Sequence, residues 1–252
     1  ATGSDNGVWV WDAVTGENVL SLKHDHRVKS VAWSPDSSRI VTSSTFDDLR
    51  VWDAVTGEEL LSLERGHGVK SVVWSPDGTR IATGSDNGVW VWDAVTGKGL
   101  LSLGYGRGVE SVVWSPDSSR IATGSAVGVW VWDAVTGKGL LSLECGDVVK
   151  SVVWSPDGTR IATGSDNGVW VWDAVTGENV LSLEHGHWVW AVVWSSDGTR
   201  IATSSTFDGV RVWDAVTGEN VLSLKHGYSV ESVAWSSDGT RIATSSTFDG
   251  VR

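Results

Sequence analysis

Six histidines are the residues of this sequence best suited to chemistry, and all of them lie in short connecting segments. His24 and His26 form one His-x-His pair, and His185 and His187 form another. Paired imidazoles at this spacing could bind zinc or act as a pH-sensitive patch. The pairs nevertheless lie in different repeats, and the single cysteine, Cys145, lies in yet another one. We therefore expect polar loop residues here and no metal site.

Serine, aspartate and histidine are abundant, but they form no pattern typical of an enzyme. The sequence contains neither a nucleophile elbow nor a glycine-rich phosphate-binding loop. The segment Gly84-Ser-Asp-Asn-Gly88 resembles a glycine-rich phosphate-binding loop, but the strand patterns on either side of it indicate a hairpin turn. The aspartates lie mainly in turns, where they cap backbone groups. We predict no catalytic residue and no cofactor.

The composition excludes further classes of function. The formal charge of −12 is the opposite of the lysine and arginine surplus that nucleic-acid binding needs. No apolar run approaches the ~20 residues that span a membrane, and no secretory signal pattern is present. The segment Ala1-Thr-Gly-Ser4 is identical to the segment Ala82-Thr-Gly-Ser85 of a later repeat, so we expect the N-terminus to lie inside a repeat. One cysteine allows no intrachain disulfide, which fits a reducing, cytoplasmic location.

A period of about 40 residues organises the whole chain. A Trp-Asp pair recurs six times, at steps of 41, 40, 40, 40 and 41 residues. Such a period indicates stacked supersecondary units. We expect these pairs to be structural: Trp11-Asp12, Trp52-Asp53, Trp92-Asp93, Trp132-Asp133, Trp172-Asp173 and Trp213-Asp214.

One repeat is predicted to contain four short strands, over residues 69–74, 80–85, 89–93 and 100–103. A Pro-Asp-Gly turn, an Asp-Asn-Gly turn and an Ala-Val-Thr-Gly turn separate them. Short strands with turns every eight to twelve residues are typical of an all-β sandwich, barrel or propeller. Apolar residues occupy both faces of the strands, as in Val-Trp-Val-Trp, so we expect sheets covered on both sides. Most of the 18 tryptophans then pack between sheets.

The repeat Val-Val-Trp-Ser-Pro-Asp-Gly…Ile-Ala-Thr-Gly-Ser-Asp-Asn-Gly-Val-Trp-Val-Trp-Asp resembles the WD-repeat β-propeller family over the whole chain. The near-identity of the copies is similar to recently amplified propellers, such as the repeat domains of fungal NOD-like incompatibility receptors. The resemblance implies one all-β propeller domain over residues 1–252, with four-stranded antiparallel blades. Its last blade would be closed by strands from both termini. Counting strands predicts six blades, with seven as the alternative.

The two chain ends overlap, because Ala243 to Arg252 repeats Ala1 to Trp9 with one residue inserted. In a closed six-blade ring the two copies would compete for one turn and one strand start. We expect one copy to be displaced. If neither yields, the ring stays open and chains associate or swap strands. A monomer is the expectation, with open-ring or strand-swapped association as the alternative.

The Gly-His pair of the family is only partly present in this sequence. In many WD repeats this imidazole bonds a second-strand Ser or Thr, together with a turn Asp and the third-strand Trp. Gly-His occurs in the connections here only at Gly66-His67 and Gly186-His187, where the connection is one residue shorter. We therefore expect a partial network, with blade cohesion resting mainly on tryptophan packing.

Variation between the copies concentrates in the connection from the fourth strand to the next first strand. The turn between the second and third strands also varies, and strand parity places both at one edge of the blades. Variable loops on a constant frame are typical of binding surfaces, although neutral drift at exposed positions is the alternative. The expected partner-binding residues are His24, His26, Arg27, Lys29, Arg65, His67, Lys70, Tyr105, Arg107, Glu110, Asp147, Lys150, His185, His187, Trp188, Trp190, His226, Tyr228 and Glu231.

Trp188 and Trp190, with His187 and Tyr228, are the best candidate for a contact centre, because aromatic side chains are frequent hot spots. Alternatively, Trp190 only fills a central channel. We expect non-catalytic recognition of protein partners, with no nucleic acid and no membrane. The alternatives are a carbohydrate-binding propeller, since tryptophan also stacks on sugars, and a structural or engineered array with no ligand of its own.

Overall fold

The computed structural model describes residues 2–4, 7–44, 49–63, 68–104, 108–146, 148–246 and 250–251. All regular structure in these residues is β-strand. No helix in the described part is long and apolar enough to cross a membrane. The chain divides into two compact units, residues 1–119 with 134–137 and residues 120–133 with 138–252.

Unit 1 contains a three-stranded sheet, two four-stranded sheets and one further strand. The three-stranded sheet consists of β1 (Thr2–Ser4), β2 (Gly7–Trp11) and β3 (Asn18–Lys23). The others are β4 (Val28–Trp33), β5 (Arg39–Ser44), β6 (Leu49–Asp53), β7 (Glu59–Leu63), then β8 (Val69–Trp74), β9 (Arg80–Ser85), β10 (Gly88–Asp93), β11 (Gly99–Leu103), and finally β12 (Val109–Trp114).

Unit 2 begins with β13 (Arg120–Ser125), β14 (Gly128–Asp133) and β15 (Gly139–Leu143). Two four-stranded sheets and a three-stranded sheet follow. They are β16 (Val149–Trp154), β17 (Arg160–Ser165), β18 (Gly168–Asp173), β19 (Asn179–Glu184), then β20 (Val189–Trp194), β21 (Arg200–Ser205), β22 (Val210–Asp214), β23 (Asn220–Leu224), and β24 (Val230–Trp235), β25 (Ile242–Ser246), β26 (Gly250–Val251).

Each four-stranded sheet is an antiparallel meander in chain order, as the sequence predicts. In β8–β11 the central strand β10 pairs with β9 on one side and with β11 on the other. The predicted strand bounds agree with these four strands to within one residue. β-Branched and aromatic residues in the strands, and glycine or aspartate in the turns, account for that agreement.

The core lies between successive sheets. In unit 1, Val51 and Leu63 of one sheet pack against Trp74, Trp92 and Ala94 of the next. The glycine that follows this Trp-Asp-Ala text, Gly97, adopts φ +69°, and a Cβ there would lie 2.6 Å from Leu63 Cδ2. Glycine thus permits both the left-handed turn and the close approach of the sheets.

Five of the six Trp-Asp tryptophans are buried at 5–7% exposure: Trp52, Trp92, Trp132, Trp172 and Trp213. Trp11 departs from the expected packing, with 47% of its surface exposed. The aspartates of the pairs shape the following turn. The Asp53 carboxylate accepts the N–H groups of Val55 (2.9 Å) and Thr56 (2.8 Å). These hydrogen bonds, that from Thr56 first, hold the pKa of Asp53 below its usual value.

In four repeats an arginine at the start of the second strand ties one sheet to the next: Arg39, Arg80, Arg120 and Arg160. Arg80 Nη1 donates to the Ala134 carbonyl at 2.7 Å, and its Nη2 donates to the Ser118 carbonyl at 2.8 Å. Its guanidinium also lies 4.6 Å from the ring of Trp114. Arg120 does the same in unit 2, with Nη1 2.6 Å from the Ala174 carbonyl. These contacts lie at the edge with nearly constant turns, which we call the constant edge.

The two chain ends form separate three-stranded sheets in their respective units. β1 pairs with β2, and β26 pairs with β25, so the described part of each overlapping copy is held by its own hairpin. In sequence, β1–β3 correspond to the second, third and fourth strands of a repeat, and β24–β26 to the first, second and third. A blade shared by both ends, one domain over the whole chain, and a count of six or seven blades all remain predictions.

Two serines occupy turn positions where other repeats have glycine. Ser37 and Ser118 both adopt φ +60°, whereas Gly78, Gly158 and Gly198 stand at the same position with φ of 70–72°. A left-handed conformation costs a residue with a Cβ roughly 1–2 kcal/mol. Replacing that residue by glycine removes the cost, but the larger entropy of glycine in the unfolded chain offsets part of the gain in stability.

Ser37→Gly is therefore expected to raise the free energy of unfolding by up to about 1 kcal/mol. Ser118→Gly should raise the free energy of unfolding by a smaller amount, because it also removes the Ser118 Oγ that accepts the Asp77 N–H at 3.1 Å. Urea denaturation of the two variants beside the wild type measures the difference. Equal gains for both would show that this hydrogen bond contributes nothing.

Candidate functional site

The two variable segments of a repeat lie side by side in both units, as strand parity predicts. In unit 2 the Thr206 N–H donates to the Trp188 carbonyl at 3.1 Å, which joins the β21–β22 turn to the β19–β20 connection. In unit 1 the Gly108 N–H lies 3.5 Å from the Asp86 carbonyl, which joins the β9–β10 turn to the β11–β12 connection. We call this the variable edge, and it carries the candidate site.

An aromatic cluster occupies the variable edge of unit 2. The Trp188 side chain is 53% exposed and meets Trp190 edge to face, with ring centroids 6.1 Å apart. Trp190 is half-buried, and its indole Nε1–H donates to Thr206 Oγ1 at 3.0 Å. The structure thus brings together the two tryptophans that depart from the repeat pattern.

Phe207 belongs to the same cluster, although the comparison of repeats did not select it. Its side chain is 73% exposed, and its ring centroid lies 4.9 Å from that of His187 in an edge-to-face contact. The available signal was a phenylalanine in an otherwise polar turn, Ser-Thr-Phe-Asp-Gly. We define the aromatic cluster as His187, Trp188, Trp190 and Phe207. Tyr228, on the next connection along the chain, is 50% exposed.

Asp208 holds the two loops under the cluster in place. Its carboxylate accepts the Gly186 N–H at 3.1 Å and pairs with Arg211 Nη2 at 3.3 Å. Arg211 Nη1 in turn donates to the Glu184 carbonyl at 2.9 Å. Because both loops are fixed to the same carboxylate, the aromatic side chains are displayed on an ordered backbone.

His185 is buried beneath this edge, so it cannot contact a partner as the sequence suggested. Its Nε2 is hydrogen-bonded to Thr203 Oγ1 at 2.8 Å, and the Trp213 indole donates to the same oxygen at 2.9 Å. The Asp208 carboxylate lies 3.6 Å from its Nδ1. Burial lowers the pKa of His185 to about 4, Arg211 adds to this lowering, and Asp208 opposes it. The imidazole is therefore neutral at pH 7.

The same network occurs in unit 1, where His24 is buried. Its Nε2 lies 2.8 Å from Thr42 Oγ1, which also accepts the Trp52 indole at 2.8 Å. The expectation that the family's histidine would be His187 was wrong for this repeat, and His67 lies outside the described residues. The network uses the first residue of the connection, whereas His187 occupies the third position and lies in the exposed cluster.

Cys145 takes the histidine position in another repeat of unit 2. Its thiol lies 3.8 Å from Thr163 Oγ1, and the Trp172 indole donates to that oxygen at 3.0 Å. Burial raises the pKa of the thiol to about 11. The thiol is therefore protonated at neutral pH and has a packing role in place of an imidazole.

The charged first-strand positions of unit 1 neutralise one another. Lys70 Nζ lies 2.8 Å from both the Glu110 and the Asp86 carboxylate. The hydrogen bonds that Lys70 donates, to Asp86 first and to Glu110 second, raise the pKa of Lys70. Lys29 lines the same cavity, which measures about 430 Å³. Since two lysines face two carboxylates, this sector has no net charge to offer a partner.

The remaining predicted residues are distributed along the variable edge. His26, Arg27 and Glu231 are exposed, while Lys150 and His226 are half-buried. Five others lie outside the described residues: Arg65, His67, Tyr105, Arg107 and Asp147. In the described part, no three histidine, cysteine, aspartate or glutamate side chains are grouped closely enough to hold a metal ion.

Comparison with protein families now settles the relationship. The family model "WD domain, G-beta repeat" matches residues 16–53, 57–93, 98–133, 137–173, 177–214 and 218–251. The chain belongs to the WD40-repeat family. The resemblance seen in the sequence is confirmed, and so is the expectation of an all-β propeller with four-stranded antiparallel blades. WD40 propellers are typically protein-interaction scaffolds and are generally non-catalytic.

Two solved structures share the fold of this WD40-repeat chain. A computationally designed protein, Ika8, superposes with a TM-score of 0.83 at 23% identity, over 96% of this chain and 76% of Ika8. A chain of the mitotic checkpoint complex superposes with a TM-score of 0.88 at 22% identity, over 98% of this chain and 80% of its own. A search of curated proteins found no match. At these identities the likeness establishes the fold alone.

Proposed function

We propose that the chain is a non-catalytic recognition scaffold that binds a protein partner through the aromatic cluster of unit 2. The observation that carries the proposal is the position of Trp188, 53% exposed and stacked edge to face on Trp190. In the other five repeats its position holds Arg27, glycine, valine or serine. A large aromatic side chain exposed at one repeat offers a surface that a partner can cover.

Energetics favour the cluster over the charged positions as the contact centre. Exposed tryptophan and phenylalanine together offer several hundred Å² of apolar surface, roughly what a central hot spot buries. The hydrogen bonds that Thr206 accepts from the Trp190 indole and Asp208 accepts from the Gly186 N–H hold the surrounding loops, so little ordering entropy is lost on binding. The Lys70–Glu110 pair, by contrast, already satisfies its own charges.

The test begins with a display library of random peptides selected against the wild-type chain. Selected peptides should bind with an affinity that Trp188→Ala lowers at least about 30-fold, the effect of losing one hot spot of about 2 kcal/mol. Trp188→Ala combined with Trp190→Ala should abolish binding. Phe207→Ala should weaken binding without changing the melting temperature, because Phe207 is 73% exposed.

The matched control is Val175→Ala in the same unit, a residue 76% exposed in the Ala-Val-Thr-Gly turn of the constant edge. It should leave peptide affinity unchanged. Equal affinity of Trp188→Ala and wild type would overturn the proposal. A glycan array probed with the same variants separates the carbohydrate alternative, in which sugars stack on Trp188. Absence of any selected ligand would favour an array with no ligand of its own.

A further inference from the structure

A hydrogen bond from a main-chain N–H to a serine hydroxyl joins the first strands of neighbouring repeats. In unit 1 the Val112 N–H donates to Ser71 Oγ at 3.3 Å. In unit 2 the Val192 N–H donates to Ser151 Oγ at 3.1 Å. Each bond runs from one first strand to the first strand of the preceding repeat. The serine therefore satisfies a buried main-chain donor that its own sheet leaves unpaired.

The repeat that carries the aromatic cluster lacks this serine and has Ala191 in its place. The other five repeats all have serine at that position: Ser30, Ser71, Ser111, Ser151 and Ser232. Ala191 packs against the core cluster that contains Val233, the counterpart of Val192 in the next first strand. Val233 also pairs with a threonine of the second strand in the same register as Val192. The Val233 N–H therefore lacks the hydroxyl acceptor that its counterparts have.

The neighbouring hydroxyl of Ser204 does not replace the missing one. Ser204 lies opposite Ala191 in the β20–β21 ladder, and its buried Oγ has no hydrogen-bond partner among the described residues. A buried N–H without an acceptor destabilises the fold, so a bound group that supplies an oxygen gains free energy here. Ala191 is only half-buried, which leaves the place of the absent oxygen open to solvent.

The open donor lies next to the aromatic cluster. Val189 and Ala191 pair with successive residues of β21, so Trp190 is the extra residue of a β-bulge and stands directly beside Ala191. Three departures from the repeat thus fall within four residues, at Trp188, Trp190 and Ala191. Apolar rings and an unsatisfied main-chain donor together form a surface suited to a polypeptide, which presents apolar side chains and main-chain carbonyls side by side.

We propose that the partner of the aromatic cluster is an extended peptide segment, one main-chain carbonyl of which accepts the Val233 N–H in place of the absent serine hydroxyl. This inference rests on the proposed function and specifies the chemistry of its partner. The segment is extended because the carbonyls of a helix interior are already hydrogen-bonded. An apolar side chain next to this carbonyl covers Trp188.

The surrounding charges favour a neutral carbonyl over a carboxylate. Lys150 and Glu231 occupy the repeat position of Trp190 in the two neighbouring first strands. At the same position in unit 1, Lys70 and Glu110 meet at 2.8 Å, so residues at this position lie side by side. One positive and one negative charge beside Trp190 give no net attraction for an anion.

Ala191→Ser tests the proposal with the peptides selected against the wild-type chain. The fold accepts serine at this position in the other repeats, and the new hydroxyl should accept the Val233 N–H. The urea midpoint should rise, and peptide affinity should fall roughly 3- to 10-fold, the effect of one lost hydrogen bond. A variant that binds the peptides as tightly as the wild type would overturn the proposal.

Backbone esters in a selected peptide identify the carbonyl. An ester weakens the carbonyl of its linkage as an acceptor and removes one N–H. At one position the ester should weaken binding to the wild type but not to Ala191→Ser, whose hydroxyl already holds the Val233 N–H; effects of the lost N–H are the same for both chains. No such position, or the same difference on converting a peptide carboxylate to an amide, would contradict a main-chain carbonyl.

Ser71→Ala is the matched control, because it removes the acceptor of the Val112 N–H in unit 1. It should lower the urea midpoint and leave peptide affinity unchanged. Affinity that changes with the midpoint in both variants would overturn the proposal, since stability would then determine binding. Peptides that depend on Trp188 but not on Ala191→Ser would refute this inference alone, whereas peptides insensitive to Trp188→Ala would refute the proposed function.

Discussion

Thr203→Val is expected to lower the free energy of unfolding by about 2–6 kcal/mol. The Thr203 hydroxyl is fully buried and is hydrogen-bonded to both His185 Nε2 and the Trp213 indole. Valine fills the same volume but leaves two buried polar groups unpaired, each at a cost of about 1–3 kcal/mol. Urea denaturation followed by circular dichroism measures the loss.

Thr163→Val is the matched control, because Thr163 is equally buried at the same repeat position. Its partners are the Trp172 indole and the weakly bonding Cys145 thiol at 3.8 Å. One strong hydrogen bond is lost in place of two, so the expected loss is about 1–3 kcal/mol. A loss as large as that of Thr203→Val would show that the imidazole contributes nothing.

Arg80→Ala is expected to cost about 2–4 kcal/mol of unfolding free energy. The guanidinium makes two charge-assisted hydrogen bonds to carbonyls of the next repeat, 2.7 and 2.8 Å long, and stacks over Trp114. Its side chain is only 17% exposed, so solvent screening is incomplete. Arg80→Lys retains the charge but not the planar fork and should fall between alanine and wild type.

Arg241 provides the control, because it occupies the same repeat position, directly before β25 of unit 2, and is exposed. Arg241→Ala should change stability by less than about 0.5 kcal/mol. A comparable loss for both alanine variants would mean that the effect comes from net charge and not from the contacts between sheets.

The sequence was sufficient to predict the repeat, the strands and the order of the strands in each antiparallel sheet. Turn residues with special backbone requirements, such as Gly97 with φ +69°, fall at fixed positions and delimit strands of β-branched residues. The pairing of variable loops at one edge followed from strand parity alone, and the Thr206–Trp188 hydrogen bond is in accord with it. The further likeness to fungal NOD-like incompatibility receptors stays a prediction.

Side-chain positions within loops were less predictable. The sequence placed the network histidine at His187, but a connection one residue shorter lets His185 reach Thr203 and turns His187 to the surface. A shift of this kind depends on loop geometry, which residue spacing does not encode. Phe207 was missed for a related reason: it came near Trp188 only through the folding of a second loop. Trp11 was expected to be buried because repeats were treated as equivalent, whereas 47% of its surface is exposed.

Partner recognition at the variable edge, on a frame of constant strands, is tested most directly by exchanging residues between repeats of the same unit. Trp188→Val with Trp190→Lys gives this connection the residues of Val148 and Lys150, which the fold already accepts at the same position. Affinity of the selected peptides, measured by calorimetry, should fall by at least about 100-fold while the melting temperature stays unchanged. Retained affinity in this folded variant would contradict recognition at the aromatic cluster.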